Sequence, residues 1–189
     1  VITLSITAAL IVACALYVIS LYNGLVDKKT RAEEAWSGIE VQLKRRHNLI
    51  PNLIETVKGY ASHEQQTFEK VVNARNNAIK TGQSSTASTA QAETVLSGAL
   101  RQLFALAEDY PDLKANTNFL DLQEQLKELE DHIQMARRFY NGSTRDLNIM
   151  VDSFPSNLVA QRFSFNRFDF FELDEIESAD VKKAPVVRF

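Results

Sequence analysis

The chain of 189 residues has little of what most folds use to bend or brace themselves: one cysteine, four prolines, six glycines and one tryptophan. With Cys14 alone, no intramolecular disulfide forms, so the redox compartment is left unspecified. Few glycines and prolines mean few forced turns, which disfavours a many-stranded β fold and favours long helices. A basic excess is also missing. The formal charge is -3, so nothing points to phosphate neutralisation and nucleic-acid binding is not expected. The glycines are scattered singly, which leaves no phosphate-cradling loop, and no nucleophile elbow is present. The length suits one domain with an anchor and is short for two ordinary domains.

What the chain does have is an apolar beginning. From Val1 to Val26 there is no charged residue, and Val1 to Leu21 is apolar apart from Thr3, Ser5, Thr7, Tyr17 and Ser20. Such a run makes about 32 Å of helix, enough for a hydrocarbon core of about 30 Å, and short hydroxyls are tolerated by returning to backbone carbonyls. A cleaved signal peptide has a shorter apolar region. A lipoprotein signal is suggested by Ile11-Val12-Ala13-Cys14, but mainly apolar sequence continues beyond Cys14. The expectation is an uncleaved, single-pass anchor in contact with the bilayer through Val1-Leu21. Lys28, Lys29 and Arg31 lean toward a cytoplasmic soluble part under the positive-inside rule. With one flank visible, the side stays open.

Beyond the anchor, Ala32, Trp36, Ile39, Leu43 and Ile50 recur at helical spacing, so the first helix is expected to continue directly from the membrane. Pro51 predicts a kink or a new helix start near Leu49 to Asn52, with a helix running on to about Lys80. Thr81 to Ala90, small and polar without period, reads as a loop. A third helix follows from Ala92 to about Tyr110, then a tight connection at Asp109 to Asp112. The strongest pattern is Phe119, Leu122, Leu126, Leu129, Ile133, Ala136 and Tyr140, resumed by Leu147, Val151 and Phe154. It predicts a helix of about 38 residues, roughly 57 Å, with a coiled-coil-like seam, interrupted at most at Asn141-Gly142 and ended by Pro155. Phe163, Phe165, Phe168, Phe170 and Phe171 then suggest an extended segment packed on the bundle, with a disordered tail as the alternative.

The fold class is therefore all-α: a transmembrane helix (1–21) continuing into an antiparallel, four-helix-bundle-like domain (22–155), with an irregular Phe-rich and acidic tail (156–189). No enzyme, metal or cofactor is expected. His63-Glu64 lacks the second histidine of a zinc-protease helix and reads as a solvated helical face. His47, His63 and His132 fall on different helices. The acidic run from Glu172 to Asp180 reads as a solvated face, because no apolar pocket surrounds it. Lys44-Arg45-Arg46 stand too far from the span for headgroups and are expected to pair within the protein or across a subunit interface. Trp36 at a core spacing reads as packing.

The motifs resemble those of the bacterial LemA family. They include Tyr22-Asn23-Gly24-Leu25-Val26, Ala35-Trp36, Ile39 to Arg46, Asn48 to Leu53 and Val57-Lys58-Gly59-Tyr60. The likeness continues in Tyr110 to Ala115, Ala136 to Asn141, Phe154 to Leu158 and Pro185 to Phe189. The resemblance implies an anchored, antiparallel helical bundle, relatives in magnetosome membranes, and no known enzymatic activity. It implies a role in membrane organisation in the bacterial cytoplasmic membrane. Some relatives carry a lipoprotein signal instead, which would put their domain outside the cytoplasm. It marks no catalytic residue, and Trp36, Gln42, Arg45, Arg46, Pro51, Asn52 and Tyr60 become candidates for a structural or partner-binding hub. Two functions are carried forward: a self-associating, homo-oligomeric scaffold, and an adaptor that recruits another membrane protein or protease.

Overall fold

A computed structural model describes residues 2–82 and 84–172. The expectations placed on Val1, on Leu173 to Asp180 in the acidic run and on Pro185 to Phe189 lie outside the described residues. Every regular element among those residues is a helix: α1 (Ile2–Lys58), α2 (Gln65–Thr81), α3 (Thr86–Ala107), α4 (Pro111–Lys114), α5 (Thr117–Asp152) and α6 (Ser156–Arg162). The chain divides into two compact units. One comprises residues 1–41 and 133–170, the other residues 42–132 and 171–189. Both α1 and α5 contribute to each.

In the unit built on residues 42–132, four helical stretches share one core. Ile50, Leu53, Ile54 and Val57 of α1 meet Phe68, Val71, Ala74 and Ala78 of α2, Leu96, Leu100 and Leu103 of α3, and Phe119 and Leu126 of α5. The small α4 adds Leu113 to the same core, after a proline at its first turn. Proline is suited there because its missing N–H has no helical partner in any case.

Three expectations for this unit change. The helix does not restart at Pro51: α1 passes through it and stops at Lys58. Proline at position 51 removes the N–H that would bond the carbonyl of His47, and the Arg75 Nε–H from α2 donates to that carbonyl instead, at 2.7 Å. The break comes at Gly59 to Glu64, where α1 closes in turns such as Tyr60 N–H to Val57 C=O at 3.0 Å. His63 consequently stands exposed in a turn and not on a helical face. The loop expected over Thr81 to Ala90 is shorter than its composition suggests. Ser85 is the N-cap of α3, its hydroxyl accepting from the Ser88 N–H at 3.2 Å, while Thr89 donates to the Thr81 carbonyl at 2.9 Å. Small hydroxyl residues here cap and start a helix. That helix ends at Ala107, short of Tyr110.

In the other unit, the first part of α1 packs against the last part of α5. Leu25, Ala32, Ala35 and Ile39 are buried on α1, and Ile133, Tyr140 and Leu147 on α5. Trp36 and Tyr140 stack at 5.2 Å between ring centroids, and Lys28 pairs with Asp146 at 3.5 Å. Asn141-Gly142 does not interrupt α5, which runs for 36 residues. After Pro155 a further short helix, α6, replaces the expected irregular chain. The Ser156 hydroxyl lies 2.6 Å from the Met150 carbonyl and 2.9 Å from that of Ser153, covering the freed end of α5. Residues 165–170 follow without helix or strand, after a turn at Ser164 whose φ is 59°. Asn148 holds them by accepting from the Phe168 N–H and donating to the Phe168 carbonyl, both at 2.9 Å. Tyr140 donates to the Asp169 carbonyl at 2.8 Å.

Candidate membrane-anchoring site and buried ion cluster

The first part of α1 is exposed along every face: none of residues 2–20 is buried. Ile2, Leu4, Ile6, Leu10, Ile11, Val12, Leu16, Val18 and Ile19 all stand free of any protein neighbour that would cover them. Removing each such side chain from water is worth about 1.5–3 kcal/mol. Their sum exceeds about 10 kcal/mol, comparable to the whole stability of a domain. No face of this helix is polar, so a soluble bundle does not account for it. Among the described residues α1 is the helix long and apolar enough to cross a membrane. The hydroxyl of Thr7 returns to the Leu4 carbonyl at 2.9 Å, as a hydroxyl in lipid must.

Where the apolar stretch ends, side-chain contacts begin. Tyr22 meets the rings of Phe163 and Phe165 edge-on, at 4.8 and 5.6 Å. Leu21 and Leu25 pack with Met150, Val151, Val159, Ala160 and Phe165. At Gly24 an added Cβ would come within 2.6 Å of the Met150 methyl, so glycine allows the close approach of α5.

In the other unit a charged cluster is buried. Arg46 is 2 % exposed and Glu93 is 1 % exposed. The Arg46 guanidinium pairs with Glu93 on α3 through Nη2, and through Nη1 with Glu130 on α5 at 2.8 Å and the Ser97 hydroxyl at 3.1 Å. The second carboxylate oxygen of Glu93 meets His47 Nε2 at 2.8 Å. Burial pushes the Glu93 pKa up, but the hydrogen bond with His47 and the charges of Arg46 and His47 override it. The carboxyl is held below its ordinary value of 4.5. The cluster ties three helices together by directional bonds.

The seven hub candidates differ in their surroundings. Trp36 stacks on Tyr140 and donates through Nε1 to Glu40 at 2.9 Å. Arg46 is the centre of the ion cluster. Gln42 is half-buried, with its carbonyl oxygen buried and lacking a hydrogen-bond partner. Arg45, Pro51 and Asn52 are exposed, and the exposed Tyr60 hydroxyl accepts from Asn116 at 2.9 Å. His47 is buried, whereas His132 sits 3.5 Å from Glu128 on α5. No group of three metal-ligating side chains occurs among the described residues.

Composition and spacing did not single out Glu93, Glu130 or Ser97. A signal was nonetheless present. Arg46 falls on the buried phase of α1 between Leu43 and Ile50, and Glu93 falls on that of α3 between Thr89 and Leu96. Opposite charges at core positions of two helices are expected to pair.

An all-α chain with a helical bundle and a wholly exposed apolar helix of membrane-spanning length is a membrane-associated protein. More particularly, this chain belongs to the LemA family, whose profile matches residues 35–189. It is 29 % identical over 161 residues to Protein LemA of Metamycoplasma hominis, covering 84 % of this chain and 72 % of that protein. It is 24 % identical over 175 residues to magnetosome protein MamQ 2 of Paramagnetospirillum magneticum, covering 80 % of this chain and 64 % of the relative. Magnetosome protein MamQ of Magnetospirillum gryphiswaldense is 23 % identical over an alignment 192 positions long, gaps included, which covers 89 % of this chain and 71 % of the relative. The chain thus spans under two thirds of the Paramagnetospirillum protein.

Proposed function

We propose that this protein is a non-enzymatic scaffold, held by a single span in the bacterial cytoplasmic membrane, that self-associates and organises the membrane around it. The observation that carries this reading is a patch of exposed apolar side chains on the last part of α5, with Asp146 among them held by Lys28. Met135, Phe139 and Ile149 are all exposed, Phe139 at 65 %. At about 100° per residue they fall within one arc of roughly 80°. Gly142 lies in the same arc with open space where a Cβ would stand. Exposed large side chains around a small residue suit close helix–helix approach. The relatives named for magnetosomes support a setting in membranes, and the exposed hub residues Arg45, Pro51 and Asn52 serve as further contacts of the assembly.

The test is crosslinking in native membranes together with light scattering of detergent-extracted protein. A ladder of self-crosslinked species is expected, reduced to monomer by Phe139→Glu. A strict monomer over a wide concentration range would overturn the scaffold. A single heterologous crosslinked species would replace it with an adaptor that recruits another membrane protein or protease.

A further inference from the structure

We propose that α6 and its flanking residues form a second membrane contact, a collar seated on the lipid headgroup layer beside the span. The inference rests on reading Ile2 to Leu21 as that span. It starts from register. Trp36 meets Tyr140, Lys28 meets Asp146, and Gly24 faces Met150. Moving along α5 therefore means moving back along α1 toward the apolar stretch. In the last turn of α5, Met150 and Val151 pack with Leu21 and Leu25 at the end of that stretch. There the chain reverses, and α6 lays Val159 and Ala160 against Leu21 and Leu25.

On the side of α6 turned away from this contact Leu158 stands open, beside the exposed Gln161 and Arg162. Phe154 is 80 % exposed, and Leu158 and Phe163 are both more than half exposed. Phe154 and Leu158, with the part of Phe163 that Tyr22 leaves open, need an occupant. The adjoining surface is the exposed apolar stretch of α1, so the occupant continuous with it is lipid. The chemistry at the edge suits the headgroup level. Tyr22 packs edge-on with Phe163 and Phe165, giving the aromatic belt that membrane interfaces favour. Arg162 is exposed with its guanidinium 5.9 Å from the centre of the Phe163 ring. An arginine stacked on an aromatic ring at this depth presents its donors to lipid phosphates. Asp152, the neighbouring acid, is paired with Arg167 at 3.2 Å, so it does not oppose an anionic surface with a free charge.

Depth-dependent quenching tests the collar on the full chain. Single cysteines are placed at Ile11→Cys, Phe154→Cys, Leu158→Cys and Asn52→Cys in a Cys14→Ser background, and each is labelled with an environment-sensitive fluorophore. The protein is reconstituted into vesicles of phosphatidylcholine and phosphatidylglycerol. Spin labels are supplied on the lipid headgroup or deep in the acyl chain, and cobalt ion serves as the aqueous quencher. The label at position 11 should lose fluorescence to the deep spin label. Labels at 154 and 158 should be blue-shifted, lose fluorescence to the headgroup spin label and resist cobalt. The label at 52 should answer to cobalt alone. If position 158 behaves like position 52 while position 11 is quenched deeply, the collar is wrong and the anchor stands. Protection of position 158 from lipid and aqueous quenchers together would mean protein covers it, which also overturns the collar. If position 11 escapes the deep quencher, the anchor reading falls and the collar with it.

Discussion

Arg46 and Glu93 have given up nearly all contact with water, and each charge depends on the other for replacement of its hydration. Removing one partner strands the second, which costs about 3–5 kcal/mol for a buried pair. Glu93→Ala or Arg46→Ala is therefore expected to lower the urea midpoint sharply. The joint replacement Arg46→Met with Glu93→Leu should recover part of the loss, because neither member of the pair then strands the other, although the buried His47 still loses its bond to Glu93. The pair also makes stability depend on pH. Glu93 in the fold is held below 4.5 by His47 and Arg46 against the opposing effect of burial. On acidification the unfolded chain takes up this proton first, so the contribution is present above about pH 4.5 and lost as pH falls through the folded value. Urea midpoints between about pH 6 and pH 3 should fall more steeply for the parent protein than for Glu93→Gln. Arg46 was expected to pair within the protein or across a subunit interface, whereas Glu93 was not singled out, although it falls on the buried phase of α3 between Thr89 and Leu96. Their complementarity becomes visible only once α1 and α3 are side by side.

At the scale of elements, long helices were legible and their ends were not. The seam from Phe119 to Tyr140 announced α5, and the phase of Ala32, Ile39 and Leu43 announced that α1 continues past its apolar stretch. Pro51 misled because its effect is decided elsewhere: Arg75 supplies the hydrogen bond that proline cannot. This exchange is testable as a cycle. Arg75→Ala should cost about 1–3 kcal/mol by leaving the His47 carbonyl without its donor. In a Pro51→Ala background the same change should cost much less, since the helix N–H is restored. Denaturation midpoints of the four proteins give the coupling. A second device holds the irregular segment after α6. Asn148→Ala removes both bonds to Phe168 and should raise amide exchange at Phe168 while leaving the helical content of α5 unchanged. Asn148 lies in the α5 seam beside Leu147, where a polar residue has a specific task, but its partner had no sequence signature.

On the scale of the whole molecule, the apolar stretch and the packed part of α1 belong to one uninterrupted helix. Anchor and packing strip are thereby phased to each other, and Tyr22 and Leu21 take part in packing at the edge of the span. Inserting a flexible Gly-Ser segment after Asn23 should leave the helical content intact by circular dichroism and reduce the crosslinked ladder. An unchanged ladder would show that assembly does not use this rigid junction.

The division of the chain has a further consequence, for the order in which the protein is made. The unit that carries the anchor is discontinuous: its first stretch ends at residue 41, and its second begins only at residue 133. Lys28 and Asp146, which pair across it, are 118 positions apart. During synthesis the anchor is in place long before α5 emerges, and the strip from Leu25 to Ile39 has no mate while residues 42–132 are translated. Those residues hold their own four-helix core and have mostly local connections, so they are able to condense first. Packing of the unit that carries the anchor therefore waits for residues beyond 132, and a nascent chain stalled before residue 133 leaves a newly made apolar strip without its mate.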